Sequence, residues 1–252
     1  MLNTIVTGEP TAKPAVLIVH GLFGSARNWG VISKRLSDRG QVLAVDMRNH
    51  GQSPWHDTNS YDDMAGDLAE VIEHHGAPMD VVGHSMGGKA AMVLALTRPD
   101  LIRRLTVADI APTAYDHDQR PLIVAMRGVD LTSVETRSDA DAQLKDSVPE
   151  DGTRAFLLQS LDRKEHRWRL NLDVLDREMD GITGFPDIDA STDTPTLFLS
   201  GAESHYVRPE HRDRIKALFP QARFAKIPGA GHWLHADKPR EFEAALRTWL
   251  DA

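Results

Sequence analysis

Asp80-Val81-Val82-Gly83-His84-Ser85-Met86-Gly87-Gly88 is the stretch on which the fold turns. A short β-rich apolar run ends in glycine, a serine follows, and Met86 to Thr97, rich in Ala, Met and Leu, continues as a helical pattern. Gly-x-Ser-x-Gly between a strand and a helix reads as a sharp bend. The glycines let the backbone turn and the helix pack close to the strand, and Ser85 is held on a strained elbow with its hydroxyl exposed. The helix N-terminus beneath it offers backbone N–H groups and a positive dipole end to a developing oxyanion. The pattern alone is weak: a chain this long carries it by chance roughly one time in ten, and the plain alternative is a tight turn before a helix. Its surroundings decide.

Working outward, short apolar runs alternate with longer helical ones. Ala15–His20, Gln41–Asp46, Met79–Gly83, Leu105–Ile110, Pro195–Ser200 and Arg223–Ile227 read as strands. Tyr61, Met64, Ala65, Leu68, Val71 and Ile72 recur at helical spacing. Pro209–Phe219 and Pro239–Leu250 carry proline near their starts, where its missing N–H is harmless. Strand–helix alternation with unbroken apolar strands predicts a mostly parallel sheet covered by helices on both faces, an α/β fold. From residue 113 to 190 the alternation stops. Ala155-Phe156-Leu157-Leu158 and Trp168-Arg169-Leu170-Asn171-Leu172 read there as amphipathic helices. Residues 113–190 are therefore expected to form a helical lid over the C-terminal edge of the sheet, with residues 1–112 and 191–252 as the core.

Composition narrows the function. The 252 residues carry 29 Lys and Arg against 37 Asp and Glu, a net charge of −8, with 41% hydrophobic and 26% charged residues. That is an ordinary globular mixture. The acidic balance and lack of a basic cluster argue against nucleic acid as partner and against anionic membranes. With no cysteine, disulfides, thiolate zinc sites and cysteine nucleophiles are excluded. The first residues lack a basic, apolar leader and the longest apolar run, Ala90–Leu96, cannot span a bilayer. A cytoplasmic protein without integral membrane association is the expectation.

In open α/β sheets reactive groups gather at the C-terminal ends of strands. His20-Gly21-Leu22-Phe23-Gly24 follows one strand, and its turn can aim the N–H of Leu22, or of Phe23, at the point served by the N–H of Met86. Two such donors make an oxyanion hole. Asp46 to Ser53 reads as an ordered loop whose Asp and Arg are structural. Gly229-Ala230-Gly231-His232-Trp233 follows the last strand and puts His232 after Ser85 and after the acid candidates, the order Ser…Asp…His.

With these motifs in this order over nearly the whole chain, the sequence resembles the α/β-hydrolase superfamily. Around Val107-Ala108-Asp109-Ile110-Ala111-Pro112 and Gly231-His232-Trp233-Leu234-His235-Ala236 it is similar to the YbfF-type bacterial esterases. The resemblance implies a helical lid and serine ester hydrolysis. It also implies an acid after the penultimate strand in a Gly-x-x-Asp pattern, but here that loop reads Gly201-Ala202-Glu203-Ser204. Two acids remain open: Asp109, at the end of the strand after the nucleophile, is preferred, with Glu203 as runner-up. Ser204 is expected near His232, bridging to Asp109.

The expected activity is a serine carboxylesterase acting on small-molecule esters of short to medium acyl chains, or on thioesters such as acyl-CoA, through an acyl-enzyme and with no cofactor. Phe23, Met86, Tyr115, Tyr206 and Trp233 are candidates to line the acyl pocket, ordinary packing being equally expected of any one. His232-x-x-His235-x-Asp237 and Asp116-His117-Asp118 resemble metal spacings but lack a further ligand pair, so no metal is expected. Gly229-x-Gly231 lacks the third glycine and ensuing helix of a dinucleotide site. His74 and His75 read as a helix cap, His84 as a packed neighbour and Trp168 as lid packing. A carbon–carbon bond hydrolase or perhydrolase on the same scaffold, and a non-catalytic hydrolase-fold binding protein, are the alternatives.

Overall fold

The computed structural model describes residues 1–76 and 78–252. Its main sheet is built from β1 (Thr4–Thr7), β2 (Val16–Val19), β3 (Val42–Val45), β4 (Met79–His84), β5 (Ile102–Ala108), β8 (Thr196–Gly201) and β9 (Arg223–Ile227), in the spatial order β1-β3-β2-β4-β5-β8-β9. Every pairing is parallel except β1 with β3. The period of two along each strand divides the core. Leu17, Val19, Leu43, Val45, Val81 and Val107 join one apolar cluster, while Val16, Ile18, Val42, Ala44, Val82 and Ala108 join the other. Helices α2 (Tyr61–His75), α3 (Met86–Thr97) and α9 (Arg212–Leu218) cover the first face; α1 (Gly30–Leu36), α10 (Leu234–Asp237) and α11 (Pro239–Leu250) cover the second. The α2 stripe read from sequence is fully buried, and Ser60 caps the helix by accepting from the Asp63 N–H.

Between β5 and β8 the chain forms α4 (Arg120–Arg127), α5 (Arg137–Leu144), α6 (Asp151–Leu157), a hairpin of β6 (Leu161–Asp162) and β7 (Arg167–Trp168), then α7 (Leu172–Arg177) and α8 (Met179–Thr183). Hydrogen bonds fasten this segment to the loops at the strand ends: Ser160 Oγ donates to Phe23 O (2.9 Å), and the Gly51 N–H donates to Arg169 O (2.8 Å). No helix among the described residues is long and apolar enough to cross a membrane.

Two expectations need correction, and one strand goes beyond them. The helix expected over Trp168–Leu172 is absent: Trp168 belongs to β7, Leu170 bridges His50, and α7 begins at Leu172. Trp168 and Leu170 are both buried two residues apart, a strand period, and the Trp168 indole donates to Met126 O (2.8 Å). The strand expected over Leu105–Ile110 runs from Ile102 to Ala108, because Asp109 turns to φ +52° and ends it. Strand β1 was not expected at all. It is a four-residue edge strand with partly exposed residues and no apolar run to mark it.

Candidate active site

The bend after β4 puts Ser85 at φ +51°, ψ −120°, a region that costs a non-glycine residue strain. The flanking glycines make it possible. A Cβ on Gly83 would collide with the Gly87 carbonyl, and one on Gly87 with the carbonyls of Val19 and His20. Ser85 is thereby fixed at the tip, its N–H donating to Ala108 O (3.1 Å).

His232 Nε2 lies 3.1 Å from Ser85 Oγ, and its Nδ1 lies 2.7 Å from Asp109 Oδ2. Asp109 is fully buried. Its carboxylate also accepts the Ser204 hydroxyl at Oδ2 (2.5 Å) and the Gly201 N–H at Oδ1 (3.1 Å). Three donors therefore hold the carboxylate, and the carboxylate holds the imidazole with Nδ1 protonated and Nε2 free to accept from Ser85. Glu203 stands elsewhere: its side chain is exposed, and its N–H is spent on Ala230 O (2.9 Å).

Two rings complete the setting of His232. Tyr206 stacks on it with centroids 3.9 Å apart and planes 18° apart. His84 packs at 4.7 Å and bonds through Nε2 to His232 O (2.8 Å). Burial first, then the neighbouring His232 and His235, keeps the His84 pKa well below the ordinary histidine value, so the neutral ring donates Nε2–H to that carbonyl. The Tyr115 hydroxyl accepts the Ala111 N–H (2.9 Å) and donates to Tyr206 O (2.7 Å), bracing the loop that carries the stacked ring.

The loop after β2 is built by two buried histidines that the sequence reading did not single out. His20 Nδ1 bonds Gly21 O (2.8 Å) while its Nε2 accepts the Met47 N–H (2.9 Å). His50 Nδ1 bonds Arg48 O (2.8 Å) while its Nε2 accepts the Phe23 N–H (3.2 Å). Desolvation lowers both pKa values, that of His50 to about 3, so both rings are neutral and can accept. Phe23 is thus corrected as an oxyanion donor, since its N–H is already taken. The Leu22 N–H has no partner among the described residues, and the Met86 N–H opens α3 beside Ser85. In the adjoining loop, Asp46 accepts from the N–H groups of Ala26 and Gln52, and Arg48 forks onto Asp67, which are structural tasks.

These groups open on a cavity of about 490 Å³ under the β5–β8 segment. Phe23, Met86, Tyr115, Tyr206 and Trp233 all line it, with Phe156 packed against Trp233 at 5.4 Å. Lys89, which the sequence reading passed over, lines it too. The residues with metal-like spacing go separate ways. His232 faces Ser85, His235 stacks on Trp29 (4.0 Å), and Asp237 accepts the Gly231 N–H (2.8 Å).

A family model described as the alpha/beta hydrolase fold matches residues 14–239. The chain belongs to the α/β-hydrolases. Among members of that family, it is 43% identical over 257 residues to the sn-1-specific diacylglycerol lipase ABHD11 of Mus musculus, covering 98% of this chain and 83% of the relative. It is 40% identical to esterase YbfF of Escherichia coli (strain K12) over 240 residues, covering 94% and 92%. The solved structure of a marine microorganism esterase superposes with a TM-score of 0.92 at 37% identity, covering 99% of this α/β-hydrolase and 100% of that chain.

Proposed function

We propose that this α/β-hydrolase cleaves carboxylic esters by attack of Ser85, with His232 as general base and acid and Asp109 as the acid that orients it. It is a hydrolase acting on esters, as its similarity to esterases and a lipase supports. One observation carries the assignment of roles: His232 Nε2 at 3.1 Å from Ser85 Oγ with Nδ1 on the buried Asp109 carboxylate. A serine hydroxyl is a poor nucleophile without a base in hydrogen-bond reach.

The steps follow from the donors and acceptors present. Nε2 takes the Ser85 proton as Oγ bonds to the substrate carbonyl carbon. The carbonyl oxygen becomes an oxyanion facing the N–H groups of Leu22 and Met86. The imidazolium then gives its Nε2 proton to the leaving alcohol or thiol, and the acyl group stays on Oγ. Water, deprotonated by the same nitrogen, attacks the acyl-enzyme and restores Ser85. Ser204 steadies the Asp109 carboxylate, and Tyr206 and His84 steady the ring.

Residues 113–190 act as the lid, closing a mainly apolar cavity. At about 490 Å³ it falls within the range of small-molecule sites, which favours short to medium acyl chains. The test is a nitrophenyl ester series from acetate to decanoate beside acyl-CoA thioesters, with wild type and Ser85→Ala. Turnover by wild type on short and medium esters, falling by about 10³-fold or more in the variant, supports the reading. Undiminished turnover in the variant overturns it.

A further inference from the structure

Lys89 stands one helical turn beyond Ser85 on α3 and is 1% exposed. Its ammonium donates to the carbonyls of Thr183 (2.8 Å) and Gly184 (2.5 Å) at the C-terminal end of α8, and lies 4.8 Å from the Tyr115 ring and 5.8 Å from the Tyr61 ring. An ammonium has three N–H bonds, and two are used. No carboxylate of the described residues reaches it. Burial pulls its pKa down to about 7 with no acidic neighbour opposing that fall. Asp118 and Glu150, acids that line the same cavity, are solvent-exposed, and Asp118 is engaged by Arg120.

A brace alone does not need this charge. The Tyr61 hydroxyl already ties α2 to the same turn by donating to Ile182 O (2.5 Å), and it does so as a neutral group. A cation placed in an apolar cavity without a counter-ion is costly, and the cost is met when a bound anion supplies the missing charge. Lys89 is among the residues that line the cavity Ser85 serves.

We propose that Lys89 is a specificity-determining residue that binds the carboxylate of esters carrying a free acid on the arm that lies against Tyr61 and Tyr115 in the cavity. This rests on the serine-hydrolase reading above. The acid takes the third N–H of the ammonium and pairs with its charge. The Lys89 N–H donates to Ser85 O (3.0 Å), so the two residues stand one turn apart, and an acid a few carbons from the scissile carbonyl is the class of ester to test.

The experiment compares matched neutral and acidic esters at pH 6.5 in wild type and Lys89→Met. Nitrophenyl hexanoate against the nitrophenyl monoester of adipic acid puts the charge on the acyl arm. Butyl acetate against 4-acetoxybutanoate puts it on the alcohol arm. Taking the acid-to-neutral ratio of kcat/KM within each preparation cancels a general loss of activity. The expected result is a ratio that falls roughly 10–100-fold in the variant for one pair, which also identifies the arm. Ratios unchanged within threefold for both pairs overturn the inference. If the variant does not fold, wild type alone decides by competitive inhibition. Tighter inhibition by 5-carbamoylpentanoate than by hexanamide, or by 4-hydroxybutanoate than by butanol, supports the inference, and no such preference on either arm overturns it. Labelling of Ser85 by a fluorophosphonate together with flat ratios removes this inference alone; absence of both labelling and turnover removes the serine-hydrolase reading with it.

Discussion

Replacing Asp109 by Asn keeps the shape of the site and reverses one proton. The Gly201 N–H donates to Oδ1, so the amide oxygen stays there and the amide nitrogen takes the Oδ2 position. That nitrogen faces both Ser204 Oγ and His232 Nδ1, which lie 2.5 and 2.7 Å from Oδ2 in wild type. With two N–H bonds it can donate to both. His232 Nδ1 must then accept, which moves the ring proton to Nε2, where it faces Ser85 Oγ and cannot take a proton from it. The corresponding change in another serine hydrolase lowers kcat about 10⁴-fold, which is about 5.4 kcal/mol of transition-state stabilisation. The assay is steady-state hydrolysis of nitrophenyl butyrate at neutral pH, with a thermal melt showing that the variant folds. A folded Asp109→Asn enzyme within tenfold of wild-type kcat would refute the assignment of Asp109 and the tautomer argument with it.

Three other outcomes are expected. Ser204→Ala removes one donor from the Asp109 carboxylate and lowers kcat by roughly tenfold, while Glu203→Gln, with its exposed side chain, changes it less than twofold; kinetics of the pair reverse the assignment if the order is opposite. Gly51→Ala is severely destabilising, since Gly51 has φ +58° and a Cβ there runs into the Asp46 carboxylate; a melting temperature within two or three degrees of wild type contradicts this. His50 and His235, both held to about 3 chiefly by burial, are neutral when folded and take up protons on unfolding below the ordinary value of 6.5. Their depressed folded pKa values mean that this stability is present above pH 6.5 and is lost as pH falls from 6.5 towards 3. At pH 5 the loss is about 2 kcal/mol per histidine, and urea melts at pH 7.5 and 5 that give equal stability exclude it.

What the sequence disclosed follows physical period and local constraint. Val16–Val19 and Val42–Val45 are buried on both faces, so their apolar runs read directly as parallel strands. The bend at Ser85 is legible because only glycine fits at Gly83 and Gly87, and that requirement is written in the residues themselves. Strand β1 was not legible, because Thr4–Thr7 is set by pairing with β3 rather than by its own burial. The choice between Leu22 and Phe23 depended on His50, a contact across 27 positions that no local pattern announces. Lys89 did leave a signal: it is the sole charge in the apolar run Met86–Thr97, four residues after the serine. Its burial and its distance from any carboxylate became visible only when α8 was folded over it.

The most direct measurement is intact-protein and peptide mass spectrometry after treatment with a fluorophosphonate, on wild type, Ser85→Ala and His232→Ala. The account predicts one stoichiometric adduct, located on Ser85, absent in the first variant and formed far more slowly in the second. Failure of the folded wild type to label, or labelling at Ser85 as fast without His232 as with it, would contradict it.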